Sequence, residues 1–170
     1  MASNPSTQSR EPSNFRAITR PLSLRLYPDS VLRQVCEPVE QFDRWLADVL
    51  DEMLVLMRAN SGIGLAGPQV GIAQRLFVSE IDEQTICLVN PVMTLRTGEA
   101  EMVEGCLSLP GIQVNVGRNQ DIAVEGYDAR GRKRKHQLQG LWARLMQHEI
   151  DHLDGIIICD RGQPERSPEQ

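Results

Sequence analysis

The sequence predicts an α+β domain in which antiparallel β-sheets pack around a central metal-binding helix, with an additional N-terminal helix. Three observations predict it: an apolar repeat of helical period from Asp43, a series of short β-like runs across the middle of the chain, and a second helical segment after Gly140 that carries paired histidines.

Residues 1–20 are rich in Ser, Pro and Arg and hold a single acid, Glu11. They contain too few apolar side chains to pack a core and are expected to form a flexible extension. The same Arg- and Ser-rich, acid-poor bias marks an organellar transit peptide, which stays open as an alternative. From Asp43, apolar residues recur at Trp45, Leu46, Val49, Leu50, Met53, Leu54 and Met57, the spacing of an amphipathic helix that stops near Asn60-Ser61-Gly62. Strands are expected at Arg75–Glu80, Thr85–Val89, Pro91–Leu95, Ile112–Val116 and Asp121–Glu125, with turns at Arg96-Thr97-Gly98 and Asp128-Ala129-Arg130-Gly131. After Gly140 the helical period returns, with Leu141, Leu145, His148 and His152 on roughly one stripe and Gly155 as the stop. Ile156–Cys159 reads as a last short strand. The expected organisation is a flexible extension over 1–20, one domain over 21–161 and a polar tail over 162–170.

With 170 residues and 41% hydrophobic composition the chain fits one domain. No run reaches the ~20 apolar residues of a membrane helix and the start lacks a secretory h-region, so no membrane partner and a cytoplasmic location are expected, with an organelle as the alternative if the extension is an address. Eighteen basic against 23 acidic residues, a formal charge of −5, argue against specific nucleic-acid binding. One basic run, Arg130 and Arg132–Lys135, reads as a solvated hairpin face, with a ribosomal RNA contact as the sharper alternative. The four cysteines show no close pairing. Cys36, Cys87 and Cys159 read as core residues.

The chemistry centres on His148-Glu149-Ile150-Asp151-His152. Two histidines four residues apart share one helical face and can grip one metal, while Glu149, about 100° further round, can act on bound water as a general base. Asp151 either orients an imidazole from behind or is a solvated helix residue. A hydrolytic site needs a third ligand, a thiolate, a carboxylate or His136. Cys106 is the best candidate, because Glu104-Gly105-Cys106-Leu107-Ser108-Leu109-Pro110 is an irregular turn able to present a sulfur together with backbone N–H groups. His136, on a hairpin strand after the basic run, reads as an ordinary, partly exposed side chain. Gly62, Gly64 and Gly67 match G-x-G-x-x-G, but this loop leaves a helix and contains Pro68, so it is not a dinucleotide fingerprint.

Taken together, Gly62–Gly71, Glu104–Pro110 and Gln147–Gly155 resemble the three motifs of the peptide deformylase family, in the same order and at similar separations. The resemblance covers about residues 22–160, including Tyr27-Pro28-Asp29 and Leu32-Arg33, which look like the family's N-terminal strand. It implies that Cys106, His148 and His152 bind the metal, that Glu149 is the general acid/base, and that the Gln69 side chain and the Leu107 backbone N–H hold the carbonyl oxygen. It implies iron(II) as the metal, with zinc, nickel or cobalt in its place. The expected substrate is a nascent N-formylmethionyl polypeptide, lying extended beside Ile63-Gly64 with its methionine near Leu141 and Leu145. The bland alternative is that both leucines anchor the helix in the core. Gly67 departs from the family's usual second alanine. The chain given ends fifteen residues after Gly155, which leaves ribosome docking through a long C-terminal helix in doubt.

Two other classes remain. A general HExxH metallopeptidase would take a third ligand downstream, yet after His152 no Glu or His occurs before Glu165. A metal-stabilised binding module would need a fourth ligand and would leave Glu149 and Gln69 idle.

Overall fold

The computed structural model describes residue 18 and residues 20–164. The expectations for the rest of the extension and for the tail beyond 164 lie outside the described residues.

Helix α1 (Arg44–Ala59) starts where Asp43 accepts the Leu46 N–H at 3.0 Å, an N-cap that satisfies one of the first-turn donors. Its buried stripe of Leu46, Val49, Leu50, Met53 and Met57 keeps the helical period seen in the sequence. Seven strands follow: β1 (Gly64–Ala66), β2 (Leu76–Ile81), β3 (Gln84–Thr97), β4 (Ala100–Cys106), β5 (Leu109–Arg118), β6 (Asp121–Tyr127) and β7 (Lys133–Gln139). Five form an antiparallel sheet in the order β1-β2-β3-β6-β7, and β4-β5 form a separate ribbon closed by the two-residue turn Leu107-Ser108. Helix α2 (Gly140–Leu153) comes last, as expected for an α+β chain.

Alternation along β2 decides how the layers pack. Leu76 and Val78 join the α1 stripe in one core, while Phe77 points to the other face and joins Leu88, Ile122 and Val124 against Ala143, Met146, Ile150 and Leu153 of α2. Every residue of α2 from Ala143 to Leu153 is buried. A helix buried all round its circumference is a central helix. A third core joins Leu109, Val114 and Val116 of the ribbon to Ile157 and Ile158. At the end of α2, Gly155 takes φ 72°, and a Cβ there would lie 2.6 Å from the Arg33 carbonyl oxygen, so glycine is required both by conformation and by space.

Three expectations need correction. The runs Thr85–Val89 and Pro91–Leu95 are one strand, β3, because Asn90 adopts φ 51° at an irregularity where pairing passes from β2 to β6. Asn90 is held by the Val39 N–H at 2.8 Å and by its own amide N–H to the Val39 carbonyl at 2.9 Å. Ile156–Cys159 is not a strand: Asp160 accepts the Ile157 N–H and donates its own N–H to Ile157, both at 2.9 Å, closing a 3-10 turn over Ile158–Asp160. The expected N-terminal strand is likewise a 3-10 turn over Ser30–Arg33, started by Asp29, whose carboxylate accepts the Val31 N–H at 3.0 Å.

Candidate metal centre

Cys106 ends β4, and His148 and His152 stand one turn apart on the buried α2. The ribbon and the helix therefore bring together a sulfur and two ring nitrogens, all within 4.8 Å of one another. Nε2 of His152 lies 3.2 Å from Nε2 of His148 and 3.3 Å from the Cys106 sulfur. Ligands at roughly 2.0–2.1 Å (nitrogen) and 2.3 Å (sulfur) in tetrahedral array would sit ~3.3 Å apart for two nitrogens and ~3.6 Å apart for nitrogen and sulfur. The donor set of one thiolate and two imidazoles fits one transition-metal ion, which these three residues would hold.

The tautomer of His148 is set from behind. Its Nδ1 faces a Glu104 carboxylate oxygen at 3.0 Å, leaving Nε2 for the centre. Glu104 itself is buried and receives Arg118 in a bidentate pair (2.8 and 2.9 Å) and Arg144 at 2.7 Å. Arg118 also donates to Asp151 at 2.6 Å, and Asp151 in turn accepts from Arg161 at 2.9 Å. Burial alone would raise the Glu104 pKa; the bonds from Arg118 and His148 outweigh it and hold this carboxyl well below the usual carboxylate range. Asp151 therefore neither orients an imidazole nor faces solvent, but anchors Arg118. Sequence reading did not single out Glu104, Arg118 or Arg144; the one available signal was that Glu104 stands two residues before Cys106, at strand spacing that turns it to the same face.

Burial pushes the His152 imidazole well below its ordinary pKa, with the His148 charge next, so it presents a neutral nitrogen. Burial works on His148 in the same direction, but the bonds from Cys106 and Glu104 outweigh it and raise that ring to about 10. Glu149 is 2% exposed, and burial raises it to about 7. Its Oε2 is buried with no hydrogen-bond partner among the described residues. Gly64 of β1 makes room for it: a Cβ at Gly64 would lie 2.2 Å from Glu149 Oε1. Gly64→Ala should therefore displace this carboxylate and cut turnover by about a hundredfold, measurable as kcat on the loaded protein.

Gln69 sits in the 3-10 turn Gly67–Val70 directly after β1. Its Oε1 accepts the Ala66 N–H at 2.8 Å, which aims its NH2 at Ser108 Oγ (3.1 Å) and the Cys106 sulfur (3.4 Å). Beside these groups opens a cavity of about 500 Å³, lined by Ile63, Gly64, Gln69, Cys106, Leu107, Leu141, Arg144, Leu145, His148 and Glu149. Leu145 is buried in its wall, whereas Leu141 is 46% exposed at the rim and does not anchor the core. The rim is completed by Met102 and Val103, which sequence reading did not name. His136, half-buried on β7, takes no part.

The family model described as polypeptide deformylase matches residues 21–167. A peptide deformylase from Thermodesulfovibrio yellowstonii is 40% identical over 148 residues, covering 84% of this chain and 90% of that protein. One from Caldicellulosiruptor bescii is 44% identical over 138 residues, covering 81% and 83%. The crystal structure of peptide deformylase from Thermotoga maritima superposes with a TM-score of 0.83 at 38% identity, over 85% of this chain and 99% of that one.

Proposed function

This chain belongs to the peptide deformylase family, metal-dependent hydrolases that remove the N-formyl group from N-terminal formylmethionine, and we propose that it does so through Cys106, His148 and His152 as metal ligands, Glu149 as general acid/base, and Gln69 with the Leu107 N–H as oxyanion donors. The observation that carries this reading is the convergence of one sulfur and two imidazole nitrogens beside a buried carboxylate with an unpartnered oxygen. When bound, the metal supplies Lewis acidity that lowers the pKa of water and makes a hydroxide-like nucleophile available near neutral pH. Glu149 takes the proton of the attacking water and hands it to the departing amine, giving formate and a free N-terminus. Gln69 and Leu107 donate to the formyl oxygen as it gains charge.

The peptide runs extended between two strand edges. β1 closes one end of the five-stranded sheet, and the residues Met102–Cys106 of β4 face it across the cavity. Ile63, Gly64, Leu141 and Leu145 line the space for the methionine side chain, with Met102 opposite. A general HExxH metallopeptidase takes its third ligand downstream of the helix, whereas here the third donor is the upstream Cys106, and a structural metal site leaves Gln69 and Glu149 idle in the cavity wall.

For the metal we propose iron(II), with zinc, nickel or cobalt able to take its place; a thiolate with two imidazoles suits all four. No helix among the described residues is long and apolar enough to cross a membrane. We propose a cytoplasmic location, with an organelle as the alternative if residues 1–20 act as an address. A ribosome contact through the basic run draws little support, since Arg132 and Arg134 pair with Asp128 and Lys133 and Lys135 pair with Glu125 within the hairpin itself.

The test is removal of the metal. Stripping with a chelator should abolish formate release, and anaerobic addition of iron(II) should restore it. Turnover that survives complete stripping would overturn the reading.

A further inference from the structure

We propose that Ser108 is a positioning residue for the reaction, holding the Gln69 amide so that one of its two N–H bonds is always aimed at the reacting centre. The proposal rests on Gln69 acting as an oxyanion donor. A carboxamide has one acceptor oxygen and one NH2 group, and its terminal torsion is soft. The Ala66 N–H is a donor and nothing else, so it fixes Oε1 on the side away from the site. That leaves two N–H bonds to be distributed. Ser108 Oγ, at 3.1 Å, accepts one, and the other is left pointing along the cavity side, 3.4 Å from the Cys106 sulfur. Ala66 and Ser108 thus grip the amide at its two ends and set its plane. Both partners are fully buried, Ser108 and Ala66 at 0% and Gln69 at 1% exposure, so water does not replace the contact cheaply.

Ser108 is itself tied down. It is the second residue of the two-residue turn between β4 and β5, and its carbonyl accepts the Tyr27 N–H at 2.9 Å, while the Arg25 N–H donates to the Gln69 carbonyl at 2.7 Å. The stretch Arg25–Tyr27 therefore straps together the same two pieces of chain that the side-chain bond joins. One piece brings the oxyanion donor and the other brings Cys106. Because their relative position is fixed by backbone bonds, the Ser108 hydroxyl is free to set orientation alone.

The N–H directed at the Cys106 sulfur gives a second consequence. A hydrogen bond to a thiolate ligand draws electron density from it, so disturbing the amide alters the sulfur–metal bond as well as the rate.

The test is a double-mutant cycle on the metal-loaded protein. Ser108→Ala should lower kcat about tenfold with KM nearly unchanged, less than the ~100-fold expected for losing the donor altogether in Gln69→Ala. In the Gln69→Ala background, Ser108→Ala should cost nothing further. In the cobalt(II) form, Ser108→Ala should shift the sulfur-to-metal charge-transfer band, which a purely structural loss would leave in place. Full additivity of the two substitutions, or an unmoved band with unchanged kcat, would overturn the proposal. If Gln69→Ala itself retains full activity, the donor assignment falls instead, and the two failures are told apart. Should the alanine variant not fold, Ser108→Cys keeps the shape with a weaker acceptor, and it is expected to show the same kcat loss and band shift; wild-type values there would reject the role.

Discussion

The Glu149→Ala variant should lose about a thousandfold in kcat while keeping its metal. Glu149 is not one of the three converging ligand residues, so its removal leaves the Cys106, His148 and His152 donors in place. What it removes is the one buried carboxylate oxygen with no partner among the described residues. Burial lifts this group to about 7, which suits an acid/base that must both accept and return a proton near neutral pH. Glu149→Gln keeps the volume against Gly64 and should be nearly as slow, because an amide holds a place without taking the proton. Metal analysis alongside single-turnover kinetics checks both statements; a variant that turns over at the wild-type rate would remove Glu149 from the reaction.

Glu104→Ala should be the most destabilising single change at the site. It strips one buried carboxylate from Arg118, Arg144 and the His148 ring together. The Arg144 guanidinium would then lie buried without a carboxylate, and Arg118 would be left with Asp151 alone, a loss of about 3–5 kcal/mol for breaking a buried pair. Arg144 keeps its bonds to the Val116 carbonyl at 2.8 Å and the Ala100 carbonyl at 2.6 Å, and Arg118 keeps Asp151, which limits the damage to the shared carboxylate. Metal affinity should also fall, by about 10- to 100-fold, because His148 loses the partner that fixes its tautomer. Denaturant unfolding measures the first effect and chelator competition the second. Unchanged stability would mean that water enters the network and replaces Glu104.

The two helices were legible because periodicity is local. The α1 stripe could be read directly, and HExxH placed two imidazoles on one face of α2. In the sequence β1 reads as a glycine loop, since three residues show no alternation; its strand character comes from pairing with Phe77–Ser79 of β2. β4 escaped for a different reason: its one fully buried side chain is Glu104, so the inward position of the strand is polar. The same fact hid the carboxylate behind His148. Its partners Arg118, Arg144 and His148 lie 14 to 44 residues away, and no local pattern announces an ion network that only the docking of the ribbon on α2 creates. Cys106 and Gln69 were legible only through their motifs, because the turn and the 3-10 segment that aim them carry no periodic signal.

The most direct test of the account is formate release from an N-formylmethionyl peptide by protein prepared without oxygen and loaded with iron(II), nickel, cobalt or zinc in turn. Stoichiometric formate and free amine are expected with at least iron(II), and turnover should collapse in Glu149→Ala with the metal still bound. An inactive wild type with every metal, all of it bound at Cys106, His148 and His152, would contradict it.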